Sequence, residues 1–378
     1  MHLALVSEFN VHDIRSWSGI PWAIVTALRG HVERLSVVSP LPNPASPAQR
    51  LRQLRARVRG ERFLRQHTAE SARRTGAFAS ARLAEIAPDA VLSIGSTPVG
   101  FLETDAPVAF WSDATFESNL YFYDGYAGLA ADNVAEGHAV EQRAQDRAAL
   151  ALYASEFAAR SARGYYGTPA GRVGVVPFGA NLTDEPAAAA VRQSIEDRAT
   201  DSATLLFLGA DWVRKGGDLA ARAAAELRRR GVEAQLVVAG PEVPEADRGP
   251  HVREMGYLDK RTPEGRAAFD ALLAQSQFLV LPSRAEAFGC VFCEAAAYGV
   301  PSIAPALGGM PTAVADGING VLVPPHPTPA EIADRVQALL ADPPAYRALC
   351  HSARDRYERE LTWDAATRDV VARIEALR

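Results

Sequence analysis

Two glutamates and a lysine offer the clearest chemistry in this sequence. Glu286 and Glu294 stand eight residues apart in Pro282-Ser283-Arg284-Ala285-Glu286-Ala287-Phe288-Gly289-Cys290-Val291-Phe292-Cys293-Glu294-Ala295. The apolar run Phe278 to Leu281 precedes them, so the stretch reads as strand, tight loop and helix. A helix that starts near Gly289 turns its free N–H groups toward the loop, and such an end suits an anion. Eight residues of helix rise about 12 Å, the order of a sugar, a diphosphate and a ribose laid in line. Glu286 could then hold hydroxyls at one end and Glu294 hydroxyls at the other. Alone, the spacing describes a surface helix with two solvated glutamates just as well. The neighbouring motifs decide.

Only two lysines, Lys215 and Lys260, occur among 40 basic residues. Lys215 falls in a loop, Gly209-Ala210-Asp211-Trp212-Val213-Arg214-Lys215-Gly216-Gly217, that follows the apolar run Leu205–Leu208. Two cations beside two glycines can neutralise a diphosphate leaving group, and stabilising that developing charge is a large catalytic effect. A charged turn is the plain alternative. The chain opens in the same way, with Ser7-Glu8 and then Trp17-Ser18-Gly19-Ile20-Pro21. Gly19 can bring backbone close to a ligand, and Pro21 suits a first helical turn. Met255-Gly256-Tyr257-Leu258 leads into the glutamate loop, and turns are marked at Gly299, Gly308-Gly309 and Asp316–Gly320. No Asp-x-Asp pair supplies oxygen ligands for a metal-chelated nucleotide. Cations and a helix end would have to act instead. Cys290 and Cys293 lack a second CxxC or a His pair, and read as small core residues. His138 falls in a helical pattern and reads as structural.

These residues need two frames to hold them. Strands are predicted at Leu3–Val6, Leu35–Val38, Ala90–Ile94, Val108–Trp111, Leu150–Ala154 and Val173–Val176, with helices among them at Ile20–Leu28, Phe78–Ile86 and Gly137–Ala148. A second alternation has strands at Thr204–Leu208, Gln235–Ala239, Phe278–Leu281, Ser302–Ala304 and Val321–Val323. Its helices are Asp218–Arg230, Gly265–Ala274, Cys290–Tyr298 and Pro329–Leu340. The class is therefore α/β, with two Rossmann-like doubly wound domains facing a cleft. The expected divisions are 1–183, a link at 184–202, a second domain at 203–356, and a crossover helix at 357–378.

A chain of 378 residues with 48% hydrophobic content can bury two cores. A net charge of −5 gives no general attraction to nucleic acid. No run is long enough to span a membrane, and the first ten residues read as a strand. Three cysteines in a long chain suggest reduced thiols and a cytoplasmic home. Arg50 to Arg74 carries nine arginines. It reads as a solvated helix or mobile loop, or as a basic face for an anionic acceptor or a membrane surface.

Taken together, these motifs resemble glycosyltransferase family 4, which has the two-domain GT-B fold and a retaining mechanism. The similarity is strongest from Leu205 to Pro324 and extends to Val176-Pro177-Phe178-Gly179-Ala180-Asn181 and to Trp363 in the tail. It implies a transferase that moves a hexosyl-type sugar from a nucleotide-diphosphate sugar, with no cofactor and no metal. The acceptor would be a glycan, a lipid-linked molecule or a small molecule. By resemblance, Lys215 and Arg214 hold the donor diphosphate. Glu286 binds the donor sugar, with Ala287, Phe288, Gly289 and Cys290 beside it. Glu294 holds the ribose, Tyr257 lies near the base, and Gly19 approaches the donor or acceptor from the first domain, counted among the donor-binding residues. Two positions depart from the family. Ala210 stands where an arginine is common, with Arg214 as its substitute, and Asp113 stands roughly where a catalytic histidine is common, near the transferring sugar or acceptor, with a turn former at the strand end as the plain alternative. A sugar-nucleotide epimerase or a non-catalytic binding module of the same fold are the alternatives.

Overall fold

The computed structural model describes residues 1–378. The chain forms two compact units, residues 1–178 with 363–378, and residues 179–362. Each is built on a six-stranded parallel sheet. In the first unit β1 (His2–Ser7), β2 (Arg34–Val38), β3 (Ala90–Ile94), β4 (Val108–Ser112), β5 (Leu150–Tyr153) and β6 (Val173–Val175) lie in the order β2-β1-β3-β4-β5-β6. In the second, β7 (Ser202–Leu208), β8 (Glu233–Ala239), β9 (Val252–Gly256), β10 (Phe278–Val280), β11 (Ser302–Pro305) and β12 (Gly320–Val323) lie in the order β12-β11-β10-β7-β8-β9. Strands β3, β4, β5, β10 and β11 are buried along their whole length. Parallel strands covered on both faces need such apolar runs.

Each strand order reverses once. The chain steps from β1 outward to β2, then returns to place β3 on the other side of β1. It steps from β7 to β8 and β9, then returns to place β10 on the other side of β7. At such a switch point the loops leaving two adjacent strands run to opposite faces, and a crevice opens at their carboxyl ends. The loops after β7 and β10 are those that carry Lys215 and Glu286.

The structure differs from the sequence reading in a few places. Residues 184–202, expected as a link, carry the helix Ala188–Asp197, which belongs to the second unit. The tail divides at Trp363. The helix Pro343–Glu360 stays with the second unit, and the helix Trp363–Glu375 belongs to the first. There Trp363 packs on Phe178 and Trp111, with ring centroids 5.5 and 5.9 Å apart. Strand β9 was not expected, because its residues are mostly exposed and lack an apolar run. The arginine-rich segment resolves into the helix Pro47–Val58, a single turn at Arg65–His67 and the start of the helix Ala69–Ile86.

The helix Cys290–Ala297, which carries Glu294, is anchored at its C-terminal end by buried arginines. Arg198 donates to the carbonyls of Gly299 (2.7 Å) and Tyr298 (3.0 Å), and Arg354 donates to that of Ala297. These carbonyls have no partner within the helix, and a cation there also complements the helix dipole. Arg354 further holds Glu358 at 2.8 Å from the next turn of its own helix. Replacing Arg354 with Leu should leave a carbonyl and a carboxylate short of partners, and lower unfolding free energy by about 2–4 kcal/mol. Chemical denaturation of the two proteins measures this, and an unchanged midpoint would mean that the arginine does not fix the helix.

Candidate active site

The donor-side residues converge at the β7–β10 switch point. Lys215 Nζ lies 2.7 Å from Glu286 Oε2, and Arg214 Nη1 lies 3.4 Å from the same oxygen. Both side chains of the Lys215–Glu286 pair are largely buried, at 12% and 13% exposure. In such surroundings Coulombic attraction is several times stronger than in water. Arg214 also donates to the carbonyl of Ala285 at 2.8 Å. One carboxylate thus faces two cations.

Local sequence makes this geometry feasible. A Cβ on Gly209 would lie 2.4 Å from Lys215 Cδ, so a larger residue there would displace the lysine from its path across the end of β7. Gly216 has φ 74° and caps the helix Gly217–Arg229, and a Cβ there would lie 2.1 Å from the carbonyl oxygen of Pro282. Three loops are then tied together. Arg284 N donates to Arg214 O (2.7 Å), and its guanidinium makes two 2.9 Å bonds to Asp218. Gly309 N, in the loop after β11, donates to Glu286 O at 2.9 Å. Gly289 begins the helix Cys290–Ala297 with φ 92°, as expected.

Glu294 is 8% exposed and pairs with the other lysine, with Lys260 Nζ 3.0 Å from Glu294 Oε1. The same ammonium donates to Asn181 O at 3.1 Å and sits over the ring of Phe269, 4.6 Å from its centroid. Both lysines of the chain are therefore paired with the two glutamates singled out by spacing. The sequence reading assigned Lys260 no role. The signal that flagged Lys215, a lysine in an arginine-rich chain, applies equally to Lys260. Tyr257 lies in the same connection as Lys260 and is 76% exposed. Ala287 and Phe288 are buried, Cys290 is half-buried, and Cys293 is buried in apolar surroundings that push its thiol up.

Gly19 and Asp113 lie in the first unit. Gly19 (φ 87°) ends a run of three left-handed residues, with Trp17 at φ 42° and Ser18 at φ 58°. Non-glycine residues hold that conformation only when their surroundings enforce it. Trp17 does so by stacking on Phe9, with centroids 4.8 Å apart. Asp113 follows β4, just before Thr115, which caps the short helix Phe116–Leu120. It is close enough to Tyr126 to help push that phenol up, behind the larger effect of burial. His138 bonds Tyr166 OH through Nδ1 (3.1 Å) and stacks on Tyr165, within the unit's packing.

The first unit has its own switch point, between β1 and β3. Glu8 stands there, half-buried, and burial raises its carboxyl to about 7 against the opposing effects of a hydrogen bond to Thr97 and the charge of Arg65. Ser96, beside Thr97, donates to buried Glu141 at 2.7 Å. Sequence reading noted Glu8 only as a strand end, because its shift depends on what folds over it.

Residues 202–342 match the model of the glycosyl transferases group 1 family. That segment contains Arg214, Lys215, Tyr257, Lys260, Glu286 and Glu294. The chain is 34% identical over 218 residues to a D-inositol 3-phosphate glycosyltransferase from Xylanimonas cellulosilytica, covering 53% of this chain and 50% of that one. It is 32% identical over 165 residues to an alpha-D-kanosaminyltransferase from Streptomyces kanamyceticus, covering 43% and 42%. The chain spans about half the length of the curated relatives it matches. Among solved structures, it is similar to sucrose-phosphate synthase from Thermosynechococcus elongatus, with TM-score 0.69, 18% identity and coverage of 100% and 99%. It is also similar to Anabaena HepE in complex with UDP, with TM-score 0.66, 14% identity and full coverage of both chains. The fold is that of the GT-B glycosyltransferases.

The Glu8 carboxyl gives a test of the first unit's switch point. Between about pH 4.5 and about pH 7 the native state keeps a proton that the unfolded chain has lost. Stability should therefore fall as pH rises through that window, by at most about 3 kcal/mol from this group. Glu8→Gln removes the titration, so its stability relative to wild type should improve from about pH 5 to about pH 8. Urea denaturation at both pH values measures the difference, and a pH-independent one would contradict the placement.

Proposed function

We propose that this chain is a retaining glycosyltransferase that moves a hexosyl-type sugar from a nucleotide-diphosphate sugar to an acceptor hydroxyl without a metal ion. The observation that carries this reading is the meeting of Arg214, Lys215 and Glu286 at the β7–β10 switch point, inside the matched family domain. The HepE structures add support, since they are complexes with UDP, with UDP and glucose, and with UDP-glucose.

In this reading the donor diphosphate lies against Arg214, Lys215 and the N-terminus of the helix Cys290–Ala297. Glu286 and the backbone of Ala287, Phe288 and Gly289 hold the sugar, and Glu294 holds the ribose beside Lys260. Tyr257 borders the base, Gly19 contributes to binding the donor, and Asp113 acts near the transferring sugar or the acceptor. The bond from the anomeric carbon to the diphosphate oxygen breaks, and its electron pair stays on the phosphate. The acceptor oxygen bonds to the same face of that carbon, and its proton passes to the departing diphosphate oxygen. The protein supplies position and positive charge, which are worth most where charge develops. No disulfide joins Cys290, Cys293 and Cys350, which suits a reducing, cytoplasmic compartment.

A panel of UDP-, GDP- and ADP-sugars tests the reading, with turnover of at least one as the expected result. Retention is checked by the anomeric configuration of the product, and metal independence by activity that survives a chelator. Glu286→Gln should lower turnover by about two to three orders of magnitude with the fold intact. Lys260→Met should mainly raise the donor KM, because Glu294 would lose its fixed position. A Glu286→Gln enzyme with wild-type turnover would contradict the site, and an unchanged donor KM in Lys260→Met would contradict the role of that lysine.

A further inference from the structure

The helix Pro47–Val58 is mounted the opposite way round from an ordinary surface helix. Such helices bury an apolar stripe and expose a polar face. Here the residues that face the protein are Gln49, Arg52 and Ala56. Gln49 is 1% exposed and donates from Nε2 to Thr68 Oγ1 and Ser71 Oγ, both at 2.9 Å. Arg52 pairs with Asp132 and Glu136, both at 2.7 Å. The apolar residues lie on the outside, with Leu51 47%, Leu54 58% and Val58 80% exposed. Their spacing of three and four places them on one stripe. A single exposed leucine is ordinary, but three in register on one helix are not.

Arginines flank that stripe. At 100° per residue, Arg50 and Arg57 fall on one side of it and Arg55 and Arg59 on the other. All four are exposed, and none forms an ion pair. Elsewhere in the chain, helical arginines are commonly matched by an acid one turn away, as in Arg74–Glu70, Arg222–Asp218, Arg368–Asp364 and Arg373–Asp369. From Pro47 to Gly60 there is no acidic residue at all. The helix is nevertheless firmly built, with a capping box at Ser46 and Gln49.

We propose that this face docks on an anionic lipid surface. The arginines would reach the headgroups while Leu51, Leu54 and Val58 enter the boundary with the acyl chains, the arrangement of an interfacial amphipathic helix. Charge complementarity selects this occupant. A second copy meeting the same face about a two-fold axis would bring arginines against arginines. The whole chain carries −5, so attraction to an anionic surface must come from this local cluster. No helix of the chain is long and apolar enough to cross a membrane, so the contact is peripheral. The proposal is independent of glycosyl transfer, because docking is measured without substrate.

The test is co-flotation of the full chain with vesicles of phosphatidylcholine alone or with about one-third phosphatidylglycerol. Binding is expected only to the anionic vesicles, weakening about fivefold for each of Arg50, Arg55, Arg57 and Arg59 changed to Gln, and strongly reduced by salt. The triple variant Leu51→Ser, Leu54→Ser, Val58→Ser should lose binding while keeping the wild-type melting temperature. Three results would overturn the proposal. These are failure of the wild type to float with anionic vesicles at low salt, undiminished binding by the triple variant, and a wild-type dimer that the triple variant converts to monomer.

Discussion

One constraint organises the second unit, namely that Glu286 is held by two cations at the end of a parallel sheet. Arg214 and Lys215 come from the loop after β7, and Glu286 comes from the loop after β10. Those strands are neighbours because the sheet order turns back between them. The glycines at 209 and 216 make room for the lysine and for the close approach of the Pro282 backbone. The pairing also sets what binding must do. In the proposed function, a donor diphosphate would compete with Glu286 for the same two cations, and the carboxylate would then turn to the sugar hydroxyls. An ion pair in the free protein would thus be exchanged for two ligand contacts.

The Lys260–Glu294 pair repeats this logic in the middle of the helix that follows. Glu294 is nearly buried, and an unpaired carboxylate there would be costly. Lys260 satisfies it and is itself held by the Asn181 carbonyl. Arg198 and Arg354 fix the far end of the helix by bonding its last carbonyls. The helix that carries the proposed donor contacts is therefore held by charge at its middle and at its C-terminal end.

Most of the frame was legible in the sequence, for a physical reason. Parallel strands buried on both faces must be apolar runs, and β3, β4, β7 and β10 stand out as such. Strand β9 did not, because an exposed edge strand such as Val252-Arg253-Glu254-Met255-Gly256 needs no apolar run. The helix Pro343–Glu360 was equally hidden. Its Arg354 and Arg356 look like surface residues, yet both are buried against carbonyls of distant segments. The helix Pro47–Val58 read as a solvated helix or mobile loop, since its attachment rests on Gln49 and not on a leucine. At the site, Lys215 and Glu286 were legible from loops flanked by strand and helix. Lys260 was passed over although it is equally rare, because it follows an exposed strand with no apolar run to mark its loop. Glu8 was hidden, since only the folded unit buries its carboxyl.

The account rests on shared use of Arg214 and Lys215 by a carboxylate and a diphosphate. Calorimetric titration of UDP, GDP and ADP into wild type and into Glu286→Gln addresses this directly, because these ligands carry the diphosphate but no sugar. Removing the carboxylate takes its charge away from both cations, so the nucleotide that binds should bind about three- to tenfold more tightly to the variant, with the gain shrinking as salt is raised. Equal or weaker binding by Glu286→Gln would contradict the claim that Glu286 and the donor diphosphate compete for the same charges.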